Sequence, residues 1–258
     1  MKIDLTRPNP ARIIDYLLGG VHNFEIDRQT ADQMVKAVST IPVWQRQSRL
    51  ALQRAVRYMI EDCGLRTLID FGAGIPTSGN THLVAHGIDP SVRVLYNDID
   101  PLTSAYGKEL LRGVENATYI EGDAQDPLSI LESEQAREFL RGERRVGIIY
   151  MALGHLMPDD HFHHAAQVLY DWAAPGSCWF VTHAPPEWDT DPDLAQVVEF
   201  YRRSRILYYL RSAEQIAQVL LPWQLRENSQ SYNLQWGLPD ADMHPRSRYD
   251  VEMMVYRD

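Results

Sequence analysis

The stretch Leu68-Ile69-Asp70-Phe71-Gly72-Ala73-Gly74-Ile75-Pro76-Thr77-Ser78 constrains this chain more than any other. An apolar run ends in an acid, and two glycines one residue apart lead into a turn. A buried parallel strand hands over in this way to a loop where a ligand can approach the backbone. Glycine suits such a loop because a Cβ would block close approach or a positive φ. A dinucleotide fingerprint would continue G-x-G-x-x-G into a helix. Here Pro76 stands two residues after Gly74, and the next glycine is Gly79. Proline has no N–H to offer a diphosphate, so the loop reads as a nucleoside cradle.

Two further acids fall where a nucleoside needs them. Val92–Asn97 is a β-rich run that ends at Asp98, 28 residues after Asp70. That spacing holds one helix and one return strand, and a carboxylate at the second strand's tip can accept both ribose hydroxyls. Asp100, directly before Pro101, is the better helix N-cap, which frees Asp98. A third strand, Thr118–Glu121, runs into Gly122-Asp123-Ala124, where Asp123 can meet the exocyclic amine of an adenine or cap a turn.

With these residues in view, the chain resembles a bacterial family of S-adenosyl-L-methionine (SAM) dependent methyltransferases, much of it once described only as a domain of unknown function. The resemblance rests on the opening Arg7-Pro8-Asn9-Pro10-Ala11-Arg12 through Leu18-Gly19-Gly20-Val21-His22-Asn23-Phe24, with Asp27-Arg28 after it. Phe71–Ser78 and Tyr96-Asn97-Asp98-Ile99-Asp100-Pro101 complete it. Val21-His22 departs from a usual Lys-Asp pair, and Thr81-His82-Leu83 from a usual Val-His-Glu. The resemblance implies an α/β, Rossmann-like class I methyltransferase fold. Its seven-stranded, mostly parallel sheet would have the last strand antiparallel beside strand 5, and a helical lid would precede it. Residues 1–65 would form the N-terminal extension, and 66–258 the SAM-binding domain. The cofactor is expected to be SAM, with S-adenosyl-L-homocysteine (SAH) as product. Asp70, Gly72, Ala73, Gly74, Thr77, Asp98, Ile99, Asp123 and Ala124 are expected to bind it. The methyl acceptor is expected to be a small molecule. A SAM- or SAH-binding regulator without turnover and an NAD(P)-dependent oxidoreductase are the alternatives.

On the acceptor side the residues are less specific. His155 follows the continuous apolar run Val146–Met151, whose end faces the ligand crevice of an open parallel sheet. It is a candidate to orient or deprotonate an acceptor, or else it packs beside the cofactor. His183, at the end of strand 5, has the same standing on the substrate side. The segment Asp15–Phe24 carries a double glycine where a helix stop needs one. It reads as a lid meeting the acceptor through Tyr16, His22 or Asn23, or as a connector packed on the sheet edge. Asp159, Asp160, His161, His163 and His164 offer at most two ligands on one helical face, so a solvated helix N-terminus is expected there rather than a metal.

The expected elements are helices at about 10–18, 28–38, 42–63, 80–86, 101–112, 127–140, 160–173, 193–203 and 212–220. Strands are expected at 67–71, 92–97, 118–121, 146–151, 178–183, 223–227 and 249–256, with a polar loop over 228–247. A chain of 258 residues supports one large α/β core. Net charge is −10, which argues against non-specific nucleic-acid binding, since that needs phosphate neutralisation. The first 65 residues carry net +2 and the rest −12, so the N-terminal piece is either a solvated helical face or the lining of a site for an anionic or neutral substrate. No run approaches the ~20 apolar residues of a membrane span. The first residues carry no apolar leader, and Cys63 and Cys178 sit in apolar contexts. A cytoplasmic protein with reduced thiols is expected, and a homo-oligomer is left open.

Overall fold

Three of the five parallel strands, 67–71, 147–150 and 178–183, are buried at every residue. The computed structural model describes residues 7–77, 79–203, 206–232 and 250–258. Its strands are β1 (Thr67–Phe71), β2 (Arg93–Asp98), β3 (Ala117–Glu121), β4 (Gly147–Tyr150), β5 (Cys178–His183), β6 (Gln224–Tyr232) and β7 (Val251–Tyr256). They form one sheet in the order β3-β2-β1-β4-β5-β7-β6. The first five are parallel, and β7 runs antiparallel to both β5 and β6. The reversed strand between β5 and β6 separates this sheet from the dinucleotide-binding order 3-2-1-4-5-6. Order reverses between β1 and β4, which opens a crevice at the carboxyl ends of those strands.

Ten α-helices are assigned among the described residues: α1 (Pro10–Leu17), α2 (Glu25–Ala37), α3 (Ile41–Glu61), α4 (Thr81–Ile88), α5 (Pro101–Leu110), α6 (Pro127–Leu131), α7 (Glu134–Leu140), α8 (Asp159–Trp172), α9 (Leu194–Arg203) and α10 (Ala213–Val219). None is long and apolar enough to cross a membrane. Two hydrophobic clusters cover the two faces of the sheet. One joins Ile13, Met34, Leu52, Val56 and Met59 of α1–α3 with Val197 and Val198 of α9. The other joins Ile130, Leu140, Phe162, Leu169 and Ile216 from α6, α7, α8 and α10.

The single helix expected over 127–140 is two. Ser133 adopts an extended conformation (φ −61°, ψ 151°), and its side chain accepts from the Ala136 N–H. That hydroxyl competes with the helix it interrupts and caps the next one. The sixth strand is longer than expected and takes in 228–232. The remainder of the expected polar loop, and Tyr249 at the start of the last expected strand, lie outside the described residues.

α1 and α2 are clamped by a buried ion pair. Arg12 Nε donates to Asp27 Oδ2 at 2.7 Å. Asp27 also accepts from the Asn9 N–H (2.9 Å) and the Phe24 N–H (3.0 Å). Asn9 caps α1, as its position before Pro10 implies.

Candidate functional site

The loop after β1 is built for close approach. Gly72 and Gly74 have φ of +61° and +66°, in the left-handed region that glycine enters without penalty. Space matters as well as conformation. A Cβ on Gly72 would lie 2.7 Å from a Leu153 methyl in the loop after β4. The two loops therefore meet across the switch point.

Asp98 is both a cavity-lining carboxylate and part of the loop's support. Its Oδ2 accepts from the Gly74 N–H (3.1 Å) and its Oδ1 from the Asp100 N–H (2.9 Å). Burial raises its pKa, and each oxygen keeps a lone pair for another donor. Asp100 caps α5, taking the Thr103 N–H at 2.8 Å, as its place before Pro101 implies. Ile99 is 61% exposed between them and presents an apolar face at the crevice.

The neighbouring loops are tied to one another. The Tyr119 hydroxyl donates to the Gly74 carbonyl (2.7 Å), and the Tyr150 hydroxyl to the Ala124 carbonyl (3.0 Å). The Ala73 N–H donates to the Asn97 carbonyl. Asp123 turns the third loop by accepting from the Gln125 N–H.

A cavity of about 320 Å³ connects these loops, within the range of small-molecule sites. Asp70, Gly72, Ala73, Gly74, Thr77, Asp98, Ile99, Asp123 and Ala124 all line it. Asp70 sits at the floor, where its Oδ2 accepts from the Thr81 hydroxyl at 2.6 Å. Threonine at 81 is one of the chain's departures from the resembled pattern, and a valine there would lack this donor. Desolvation raises Asp70 to about 6.

His155 lines the cavity in a short 3₁₀ turn after β4. Its ring lies 4.3 Å from that of Tyr208. Burial, helped by Arg211, lowers its pKa to about 3, which leaves a neutral imidazole and a weak base. Arg211 holds this turn from below, donating to the carbonyls of Gly154 and Met157 and pairing with Asp159. The pairing gives Asp159 a structural partner. Among the described residues, no cluster of histidines, cysteines and acids could hold a metal ion.

Tyr16, His22, Asn23 and His183 are not among the residues lining the cavity. The Tyr16 hydroxyl donates to Asp32 on α2 at 3.2 Å. His183 is buried behind the crevice, 3.3 Å from an Arg211 nitrogen. The His22 N–H and the Asn23 amide both donate to Asp15 Oδ2, at 2.8 and 2.9 Å. Asp15 does line the cavity, and it explains the double glycine. Gly19 takes φ +81°, while a Cβ on Gly20 would sit 2.0 Å from Asp15 Oδ1. One glycine ends the helix, and the other makes room for a carboxylate.

Sequence reasoning missed the far wall. α3 contributes Trp44, Gln45, Ser48 and Arg49; the chain after α9 contributes Tyr208; and Asp250 precedes β7. Asp250 is 3% exposed and accepts from the Trp44 indole N–H at 3.2 Å. Burial, with Glu252 nearby, raises it to about 8. The anionic substrate left open for the N-terminal piece is disfavoured by the charge of this cavity. Asp15, Asp98, Asp100 and Asp123 line it, and Asp70 and Asp250 add charge as pH rises through about 6 and about 8, against Arg49.

Asp70 and Asp250 make folding stability depend on pH. Both titrate higher here than in an unfolded chain, where an aspartate titrates near 4. The folded state therefore binds more protons, so their contribution is full below about pH 4 and is lost as pH rises through about 6 and then about 8. Urea midpoints should fall between pH 5 and pH 8.5, and Asp250→Asn should flatten the upper part of that fall. An identical pH dependence in the variant would mean that Asp250 titrates normally.

The comparisons agree with this geometry. The family model for S-adenosyl methyltransferases matches residues 1–254. The chain belongs to that family, and its methyl donor is SAM. A DUF574 family protein from Streptomyces avermitilis superposes with a TM-score of 0.89 at 26% identity, covering 100% of both chains. A candidate methyltransferase from Thermobifida fusca superposes with a TM-score of 0.87 at 28% identity, covering 99% of this chain and 97% of that one. Human N-acetylserotonin methyltransferase, solved with SAM, shares the fold at 14% identity with a TM-score of 0.51, covering 97% of this chain and 63% of its own. No curated protein matches the chain.

Proposed function

We propose that this chain is an active enzyme that transfers the methyl group of SAM to a small-molecule acceptor. One observation carries the reading. A single cavity runs from the loops after β1, β2 and β3 to a wall that carries Trp44, Tyr201 and Tyr208. SAM supplies an electrophilic methyl on a sulfonium that is already a good leaving group. The protein's task is then to position two reactants and exclude water.

Asp98 receives the ribose hydroxyls with the lone pairs its two backbone partners leave free. Ile99 lies against the adenine, and Asp123 accepts from its amine. Gly72, Ala73 and Gly74 pass beneath the methionine, with Thr77 at the loop's far side and Ala124 beside the base. Asp15 and Asp70 add negative charge near the sulfonium. His155, uncharged, donates or accepts one hydrogen bond at the acceptor. Tyr16, His22 and Asn23 act at one remove in this reading. The backbone of His22 and the amide of Asn23 orient Asp15, while Tyr16 ties α1 to α2, and α1 and α3 close one side of the crevice.

Parallel calorimetric titrations with SAM, SAH and NAD⁺ test this. Micromolar SAM and SAH binding with no NAD⁺ response is expected, followed by SAH formation on a matching acceptor. Binding of SAM and SAH with no turnover across a broad acceptor panel would reassign the chain to SAM sensing. No binding of either would refute the site.

A further inference from the structure

Resting on the methyl-transfer reading above, we propose that the acceptor is an amine borne on an apolar body, and that Asp250 receives its nitrogen. The argument starts from placement. Asp250 directly precedes β7, whose first residue Val251 pairs with His183 at the carboxyl end of β5. It therefore stands at the same edge of the sheet as the nucleoside loops. Four strand spacings separate β2 from β7 through β1, β4 and β5, about 19 Å at about 4.8 Å each. A nucleoside held at β2 and β3 leaves the β5–β7 side of the cavity to the second reactant.

That side has an unusual chemistry. Its walls are aromatic. Tyr208 packs on Tyr201 at 4.8 Å and on Trp188 at 5.8 Å, and Trp188 meets Trp44 edge-on at 4.9 Å. One carboxyl group is set into these rings. It holds the Trp44 N–H, and no cation pairs with it among the described residues. Among the described residues, the titratable groups that act on it are Glu252 on its own strand, itself faced by Arg54, and the phenols of Tyr201 and Tyr208. A buried carboxylate needs a positive or donating partner, and none of these supplies a positive one. An amine supplies both charge and N–H donors, while its apolar body fills the aromatic wall. A carboxylate or phosphate acceptor would meet six aspartates along the cavity. A neutral alcohol offers no positive charge to Asp250 in its ionised form.

The same group completes the reaction. A nitrogen must be unprotonated to attack, and an entering ammonium must lose one proton. The lone pair then forms the C–N bond as the C–S bond breaks, and that bond's electrons stay on sulfur. One ammonium and one sulfonium become one methylated ammonium, one thioether and one proton. Asp250 takes that proton and passes it to water. Its pKa of about 8 brings it far closer to an ammonium than an ordinary carboxylate comes. His155, lowered to about 3, is the weaker base.

The test is calorimetric titration of SAH-saturated protein at pH 8.5 with 2-phenylethylamine and with its neutral counterpart 2-phenylethanol. The amine is expected to bind at least tenfold more tightly. Asp250→Asn, which keeps an acceptor for Trp44, should remove that preference and leave SAH affinity unchanged. Tyr208→Leu should weaken both probes. Equal binding of the two probes, no amine binding at millimolar concentration, or a preference that survives Asp250→Asn would overturn the proposal while the SAM reading stands. Failure of the wild-type protein to bind SAH would bring down both.

Discussion

Asp27→Ala is expected to destabilise the protein by about 3–5 kcal/mol, the cost of leaving one member of a buried ion pair unpartnered. Arg12 and Asp27 are almost wholly out of water, at 3% and 0% side-chain exposure. Asp27 accepts three hydrogen bonds, so its loss leaves the Arg12 charge without its counterion and the N–H groups of Asn9 and Phe24 without acceptors. The denaturation midpoint should fall, and amide exchange in α1 should quicken first. The double variant Arg12→Ala/Asp27→Ala should lose less than the sum of the two single ones, because no charge is then stranded. Single and double variants that add within 0.5 kcal/mol, on the scale of independent sites, would mean that the pair is hydrated in solution. The effect should also reach the ligand, since Pro10, Ala11 and Ile14 of α1 form part of the cavity wall.

For Asp98→Ala the expected result is a loss of about 1–3 kcal/mol in SAM affinity, the scale of an unmade hydrogen bond to a charged group. Two effects combine. The ribose loses its acceptor, and the Gly74 and Asp100 N–H groups lose theirs. Asp98→Asn separates the contributions. It retains one oxygen acceptor, so it should preserve more of the loop than of the affinity. Titration with SAH gives the same quantity without turnover. Unchanged affinity in the alanine variant would remove Asp98 from the ribose.

The half of the cavity formed by the loops after β1, β2 and β3 was legible in the chain because its residues are local. A buried strand, a glycine loop and an acid at the next strand's tip follow one another in order. β1 and β5 occupy the intervals that their apolar runs predict. Asp100 was separable from Asp98 because Pro101 fixes the helix start. The far wall was not legible, for a physical reason. Trp44, Tyr208 and Asp250 lie on a long helix, an irregular segment and a strand entrance, and none carries a motif. They meet only because β7 enters the sheet beside β5. Tyr16 and His22 stood out as polar residues beside two glycines, yet the glycines answer to Asp15. A carboxylate's need for space leaves the same sequence mark as a lid. The break at Ser133 was missed because serine is common both in helices and at their caps.

The hydroxyls of Tyr119 and Tyr150 carry a consequence for how the nucleoside site responds to change. Each rises from one strand and fastens a loop that belongs to another. The loops after β1 and β3 cannot shift without breaking a bond to a strand that lies beyond their immediate neighbour in the sheet. In the proposed reading, adenine, ribose and methionine are gripped by parts that yield together or not at all. Ligands altered at the base end should be felt at the sulfur end, and analogues that fit only one half should lose affinity out of proportion to the atoms they lack.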